Sequence, residues 1–434
     1  SATIAQISMP ALEEAGTVTI SSLPELTKID FPELKKLVGV RITGAPELSF
    51  IYAPKLEEAT GQIYLSGLNK LSEVGFPEML QAADIYLASC KLLSTLDFSK
   101  LTHVGLLTLN TLPLNDLSGF SALQTAGTIT MSSLSAMPVV KIPPMHIDLL
   151  TVTHTLSIQH EEIDVKGADI GELQIVSYAA AKVGKLIGDD VFRGTLNINC
   201  AGASQGTYPG FPAVVEGFHE VDSLYLQPSI ATSVIISGVR KVNRGVYMAT
   251  GSQNSLREFS MPDLEDVGGN LYISYTANNA SMATPSTQTA LEFEKLERVG
   301  GNFTLSVTTS KIETLSCPNL KSIGGDFTMG TGRDASGLIG FGTLSFTDLS
   351  AIGGKLTIQP TLASGSNTKL TNLDGLANLA GVGSIEILGH TALTSYEGLK
   401  KLFETLTEEQ WITPTYNSYN PSYQDLKTDG KWTQ

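Results

Sequence analysis

Three tyrosines offer the most direct route to ligand chemistry in this chain. Tyr225, Tyr247 and Tyr272 each stand between two apolar residues, in Leu224-Tyr-Leu226, Val246-Tyr-Met248 and Leu271-Tyr-Ile273. Alternation of this kind turns the flanking residues inward and the tyrosine outward when the triplet is a β-strand. Neighbouring strands lie about 4.8 Å apart, so three such rings on consecutive strands make an outward ladder. A row of rings with hydroxyl tips can stack on sugar faces or anchor a protein partner. Tyr64 and Tyr86 repeat the arrangement on a smaller scale. The plainer explanation is that tyrosine simply favours strands, with residues 274–290 folding over the ladder.

Other chemistry is weaker. His146, His154 and His160 lie close to Glu161 and Glu162, but no HExxH or similar ligand spacing is present, so no metal site and no cofactor are expected. His154 shares the parity of Val152 and is expected in the core. A glycosidase or lyase would need carboxylates or basic groups gathered on neighbouring outward positions. The outward positions read Thr19, Arg41, Tyr64, Tyr86, Thr108 and Thr130, and later Thr304, Thr328, Thr357 and Glu386. They are mainly threonine and tyrosine, with Arg41 and Glu386 isolated at opposite ends. Gly268-Gly269 and Gly300-Gly301 read as turn glycines, since neither a lysine nor a helix start follows them. No catalytic residue is assigned, and the expectation is a protein without enzymatic activity.

What must position the tyrosines is a repeat. A short phrase recurs as Met9-Pro10-Ala11-Leu12, Phe31-Pro32-Glu33-Leu34, Ala53-Pro54-Lys55-Leu56, Phe76-Pro77-Glu78-Met79, Phe98-Ser99-Lys100-Leu101, Phe120-Ser121-Ala122-Leu123 and Ile142-Pro143-Pro144-Met145. Its last residue falls at 12, 34, 56, 79, 101, 123 and 145, in steps of 22 or 23. A fixed period in the twenties marks a solenoid, in which each unit buries its apolar face only by stacking on the next. An alternating strand follows each phrase, at Val18/Ile20, Val40/Ile42, Ile63/Leu65, Ile85/Leu87, Leu107/Leu109 and Ile129/Met131.

Four sections follow from the dialect of the repeat. Residues 1–150 are regular, and 151–237 keep the strands but lose the phrase. Residues 238–395 carry Val/Ile-Gly-Gly-x copies with insertions at 274–290, 330–340 and 359–369, matched by an earlier one at 201–210. Insertions at one point of a repeat map to one edge of a solenoid, often the binding edge. Residues 396–434 form a cap. Leu399, Leu402, Phe403 and Leu406 have helical spacing, and Trp411, Tyr416, Tyr419, Tyr423 and Trp432 follow. Such a tail covers the last rung, which would otherwise expose a strand edge.

Composition excludes several classes. The formal net charge is −15 with no Lys/Arg-rich run, which argues against nucleic acid as a partner. No run of 18 apolar residues is present, so no membrane-spanning helix is expected. Cys90, Cys200 and Cys317 lie far apart and read as buried, unpaired residues. The chain opens at Ser1 inside the first repeat, which reads as a mature form without its leader.

The pattern Phe-Pro-x-Leu-x-x-Val-Gly-Gly-x-Leu-x-Ile, running from residue 9 to about 390, resembles the leucine-rich-repeat surface proteins of Bacteroidetes. It is also similar to receptor L-domains and to fungal cell-wall proteins carrying Val-Gly-Gly strands, and the tail Tyr419-Asn-Pro-Ser-Tyr-Gln-Asp-Leu426 resembles the ends of the bacterial group. That resemblance implies an exported, lipid-anchored cell-surface protein that binds an extracellular protein or glycan. Most rungs here lack the Asn or Cys that follows the strand in the leucine-rich-repeat consensus, which favours a tighter, L-domain-like coil over a regular horseshoe. The expected fold is a mainly β, right-handed solenoid of roughly 15 to 17 coils with a helical and aromatic C-terminal cap. The expected function is recognition or adhesion by a monomer. The alternatives are a passive structural element of the cell envelope and, further off, a carbohydrate-active β-helix enzyme.

Overall fold

The computed structural model describes residues 4–154, 160–177, 183–200, 214–228, 233–250, 256, 258–276, 288–308, 312–331, 341–360 and 367–434. The greater part of each insertion noted above lies outside these described residues. The chain is mainly β and forms two compact units, Ser1–Asp189 and Asp190–Gln434. Each is a parallel β-solenoid; coils of the first step by 21–23 residues, and those of the second by 21–32.

In the first unit, eight long strands stack in sequence order. They are Glu14–Ile20, Lys36–Ile42, Glu58–Ser66, Gln81–Ala88, His103–Asn110, Thr125–Ser132, His146–His154 and Asp169–Ser177. Every neighbouring pair is parallel. Short strands such as Lys28–Asp30 and Phe50–Tyr52 form narrower sheets elsewhere on the coil. The recurring phrase supplies the wall between them: Phe31, Leu34, Leu56, Phe76, Met79, Phe98, Leu101, Phe120 and Leu123 are all buried. Phe98 and Phe120 stack with centroids 5.1 Å apart, because equivalent residues of successive coils lie over one another. The corner after the long strand needs a left-handed residue, met by Ser22, Gly44, Gly67, Ser89, Thr111 and Ser133. That corner is why small or polar residues recur there.

In the second unit, long strands run from Val191–Asn199 through Glu220–Gln227, Lys241–Ala249, Asn270–Thr276, Phe303–Thr308, Phe327–Thr331, Ala351–Pro360 and Gly381–Leu388. These too pair in parallel and in sequence order. The Val-Gly-Gly phrase has a steric cause here. A Cβ on Gly300, Gly324 or Gly353 would fall on the carbonyl oxygen of the glycine one coil earlier. The second glycines, Gly301, Gly325 and Gly354, leave room for the side chains of Asn270, Asn302 and Asp326. Each of those side-chain oxygens accepts a 2.8 Å hydrogen bond from the backbone N–H of the equivalent residue on the next coil, at Asn302, Asp326 and Lys355.

The C-terminal segment departs from the expected helix. Leu399, Leu402, Phe403 and Leu406 are buried as their spacing implies, but they sit on short 3₁₀ turns, Glu397–Leu399 and Leu402–Glu404. Backbone bonds from Thr394 and Ser395 to the Thr371 carbonyl hold the start of this segment to the preceding coil. Gly398 also packs against the Leu373 carbonyl. The chain must follow the coil, which leaves no length for α-helical propagation. The single α-helix among the described residues is Tyr423–Lys427, capped by a Ser422/Asp425 box. The strand Trp411–Thr415 pairs with Gly381–Leu388, and Phe403 gathers Trp411, Tyr423 and Trp432 around it.

Crowding at the glycine stack makes a direct test. Gly300→Ala should lower stability by about 1–3 kcal/mol, the usual cost of forcing extra volume into a packed site. A methyl group added at Gly381 would meet nothing within 4 Å, so Gly381→Ala should be neutral or mildly stabilising. Denaturant midpoints for the two variants check this; equal midpoints would remove the steric account.

Candidate functional site

The register places the outward residues of each unit in one continuous row. In the second unit the row reads Asn197, Tyr225, Tyr247, Tyr272, Thr304, Thr328, Thr357 and Glu386. The inward neighbours Leu224, Leu226, Val246, Met248, Leu271 and Ile273 are buried, and they fix the strand faces by the two-residue alternation. The tyrosines are half-buried.

The rings are stacked on each other. Tyr225 and Tyr247 have centroids 4.5 Å apart at 7°, and Tyr247 and Tyr272 are 4.9 Å apart at 6°. Both faces of the Tyr247 ring are therefore covered by its neighbours, and solvent meets ring edges and hydroxyls. A sugar cannot lie flat on the middle ring. Flat stacking is restricted to the outer faces of Tyr225 and Tyr272, and Thr304 beside Tyr272 is too short to cover a ring. Burial together with the flanking tyrosines raises the Tyr247 phenol above its ordinary range, so the middle hydroxyl stays un-ionised at neutral pH. Gln227 extends the polar line: its Nε2 donates to the Tyr225 hydroxyl at 3.1 Å, and Asn199 Nδ2 donates to its Oε1 at 3.0 Å. The sequence pattern does not single out Gln227, although its position two residues after Tyr225 on the same strand gives it the same outward parity.

In the first unit the row reads Thr19, Arg41, Tyr64, Tyr86, Thr108, Thr130, Thr151 and Gln174. Tyr64 and Tyr86 are parallel at 4.5 Å. Arg41 is not isolated: its guanidinium carbon sits 3.8 Å from the Tyr64 ring centroid. Glu386 is not isolated either, because Lys355 Nζ donates to it at 2.7 Å. Its charge is answered within the fold, and it has no second carboxylate beside it in the row.

The histidines separate. His146 is exposed and bridges two carboxylates, Asp169 at 2.7 Å and Asp148 at 3.1 Å; hydrogen bonds to them raise its pKa. The two contacts use opposite nitrogens of the ring, so the carboxylates do not converge on a common point. His154 and His160 are buried, with ring centroids 4.8 Å apart, and His160 shares a 2.6 Å bond with the Met137 carbonyl. Among the described residues no group of three or more His, Cys, Asp or Glu is placed to hold a metal ion. Cys90, Cys200 and Cys317 are buried and free, and burial raises the Cys200 thiol to about 12, which leaves it without thiolate reactivity.

No described helix is long and apolar enough to cross a membrane. No protein-family model matches the chain, and no curated protein matches it in sequence.

The buried histidines predict a pH dependence. Burial, reinforced by His160, lowers His154 from 6.5 to about 4. Between those values the unfolded chain binds a proton that the folded chain refuses, so stability is full above pH 6.5 and declines as pH falls toward 4. The complete loss corresponds to roughly 3 kcal/mol. The denaturation midpoint of the native sequence should fall further than that of His154→Leu between about pH 7 and about pH 4.5. Equal falls would show that this imidazole is not the titrating group.

Proposed function

We propose that this chain is a recognition or adhesion protein of the cell surface, akin to the leucine-rich-repeat and L-domain-like solenoids its repeats resemble. It binds an extracellular protein or glycan through the outward strand face and performs no chemistry on it. It acts as a monomer, and a lipid anchor of the kind found in the Bacteroidetes group holds it at the outer membrane. The observation that carries this reading is the in-register row Tyr225–Tyr247–Tyr272. Stacking locks the rings before any ligand arrives, so little side-chain entropy remains to be lost on binding. Three hydroxyls one strand spacing apart, with the Gln227 amide beside them, form a fixed hydrogen-bonding template. Nothing in the row pairs a general acid with a base, which favours binding over turnover.

Purified protein should bind a specific member of an array of host and microbial glycans and matrix proteins. A variant with all three tyrosines changed to Phe keeps the stack and removes the hydroxyls; it should bind at least about tenfold more weakly. The corresponding triple Ala variant should lose binding altogether, with circular dichroism confirming that it folds. Undiminished binding by both variants would move the site off the ladder, and a blank array would leave a passive envelope element as the better reading.

A further inference from the structure

We propose that Arg41, Tyr64 and Tyr86 form a second binding site, on the first unit, for a sugar that carries a carboxylate. It rests on the recognition reading above and gives that reading a ligand class. A guanidinium carbon reaches 3.8 Å from a ring centroid only when its plane lies over the ring. In that pose the ring takes the guanidinium face, and the N–H edge is left for a planar acceptor. The Arg41 guanidinium makes no hydrogen bond or ion pair with any described residue; its one close contact is the Tyr64 ring. Lys35, Lys55, Lys70 and Lys100 in the same unit each pair with a glutamate one coil earlier; Lys36 and Lys91 share with Arg41 the lack of an ion pair, but of these three only Arg41 is held against an aromatic ring. An arginine held on a ring with no acid partner, in a chain with 43 acidic and 28 basic residues, presents its N–H fork in the geometry that suits a carboxylate.

The groups around it are hydroxyls and amides. Thr19 adjoins Arg41 in the row on one side and Tyr64 on the other, with Tyr86 beyond. Gln62 and Ser66 face outward on either side of Tyr64, by strand parity. A uronic acid presents a carboxylate and several hydroxyls from one ring, which matches this set. A peptide matches it poorly. The strands Lys36–Ile42 and Glu58–Ser66 are paired on both edges, so no extended segment can add a strand there. The outward residues around Arg41 also offer no apolar pocket to anchor a side chain. The net charge of −15, with Asp84 facing outward beside Gln62, favours a single carboxylate over a polyanion through long-range repulsion.

The test is isothermal titration of the full chain with oligosaccharides ending in glucuronate or galacturonate, each beside its carboxyl-reduced neutral counterpart. At least one acidic probe should bind about tenfold more tightly than its neutral partner. Arg41→Ala should abolish that preference. Arg41→Lys keeps the charge but not the fork, and should lose most of it. Arg41 is exposed, so both variants should fold, with at most a small fall in melting temperature from the altered Tyr64 contact. The variant with Tyr225, Tyr247 and Tyr272 changed to Phe should bind the acidic probe unchanged, which separates this site from the ladder. Equal binding of acidic and neutral probes, an undiminished preference in Arg41→Ala, or no binding of either uronate would overturn the proposal. None of these three results bears on the ladder, whose own variants decide the broader reading.

Discussion

Coil-on-coil register is the constraint on which everything else depends. Parallel pairing sets each residue over its equivalent on the preceding coil, about 4.8 Å away, and both units hold this through nearly all their long strands. A residue type chosen at one position therefore has to tolerate its own kind, or a designed complement, on either side. Phe98 lies on Phe120, Phe303 on Phe327, and Gly300 on Gly268. Charges follow the same rule by alternating. Glu14, Lys36 and Glu58 occupy one line in the first unit, and Glu220, Lys241, Asp266 and Arg298 another in the second. Such exposed pairs are screened and contribute little to stability, but like charges at this spacing would oppose the register. Their value lies in rejecting a slipped coil.

The same constraint decides what the tyrosines can offer. At one strand spacing, aromatic rings on equivalent positions have no room to lie flat on the sheet side by side. They stand and stack, as Tyr225, Tyr247 and Tyr272 do. A ladder built this way trades ring faces for edges and hydroxyls. It suits hydrogen bonding to a regular ligand better than the flat stacking that single exposed rings provide. The ends of a ladder behave differently from its middle, and in the first unit Arg41 occupies one end.

Much of this was legible in the residue order. The 22- or 23-residue step gave the coil, the strand alternation gave the inward and outward rows, and the parity of His154 placed it in the core, where it is fully buried. Other features were hidden because they live between coils. Arg41 stood alone when read along the chain, yet it falls one coil before Tyr64 and reaches its ring. The Gly-Gly pairs read as turns along the chain, but 268–269, 300–301 and 324–325 are bends between segments of the strand row and 353–354 lie within the strand Ala351–Pro360; their cause is the carbonyl and the Asn or Asp side chain of the previous coil. The segment from Tyr396 had true helical spacing, and attachment to Thr371 broke it into 3₁₀ turns. Local pattern reports which face a residue takes; it does not report what the next coil does with it.

The distribution of charge supports the proposal that the outward row is a contact surface. Of 43 acidic residues in the chain, none stands in the central row of the first unit, which is built of Thr, Tyr, Gln and one Arg. In the second unit the single acid in that row, Glu386, is neutralised by Lys355. The paired carboxylates Glu13 and Glu78 stand at turns, and Glu220 and Asp266 at the first position of a strand, where basic partners meet them; Asp84, Asp148, Glu172 and Asp222 lie within strands but beside the central row. Strand propensity and repulsion between like charges one coil apart account for part of this sorting. A surface that must shed its water to hold a ligand gains from it as well, because a solvated carboxylate is expensive to cover. The near absence of acids from the two central rows is what the proposed recognition role asks of them.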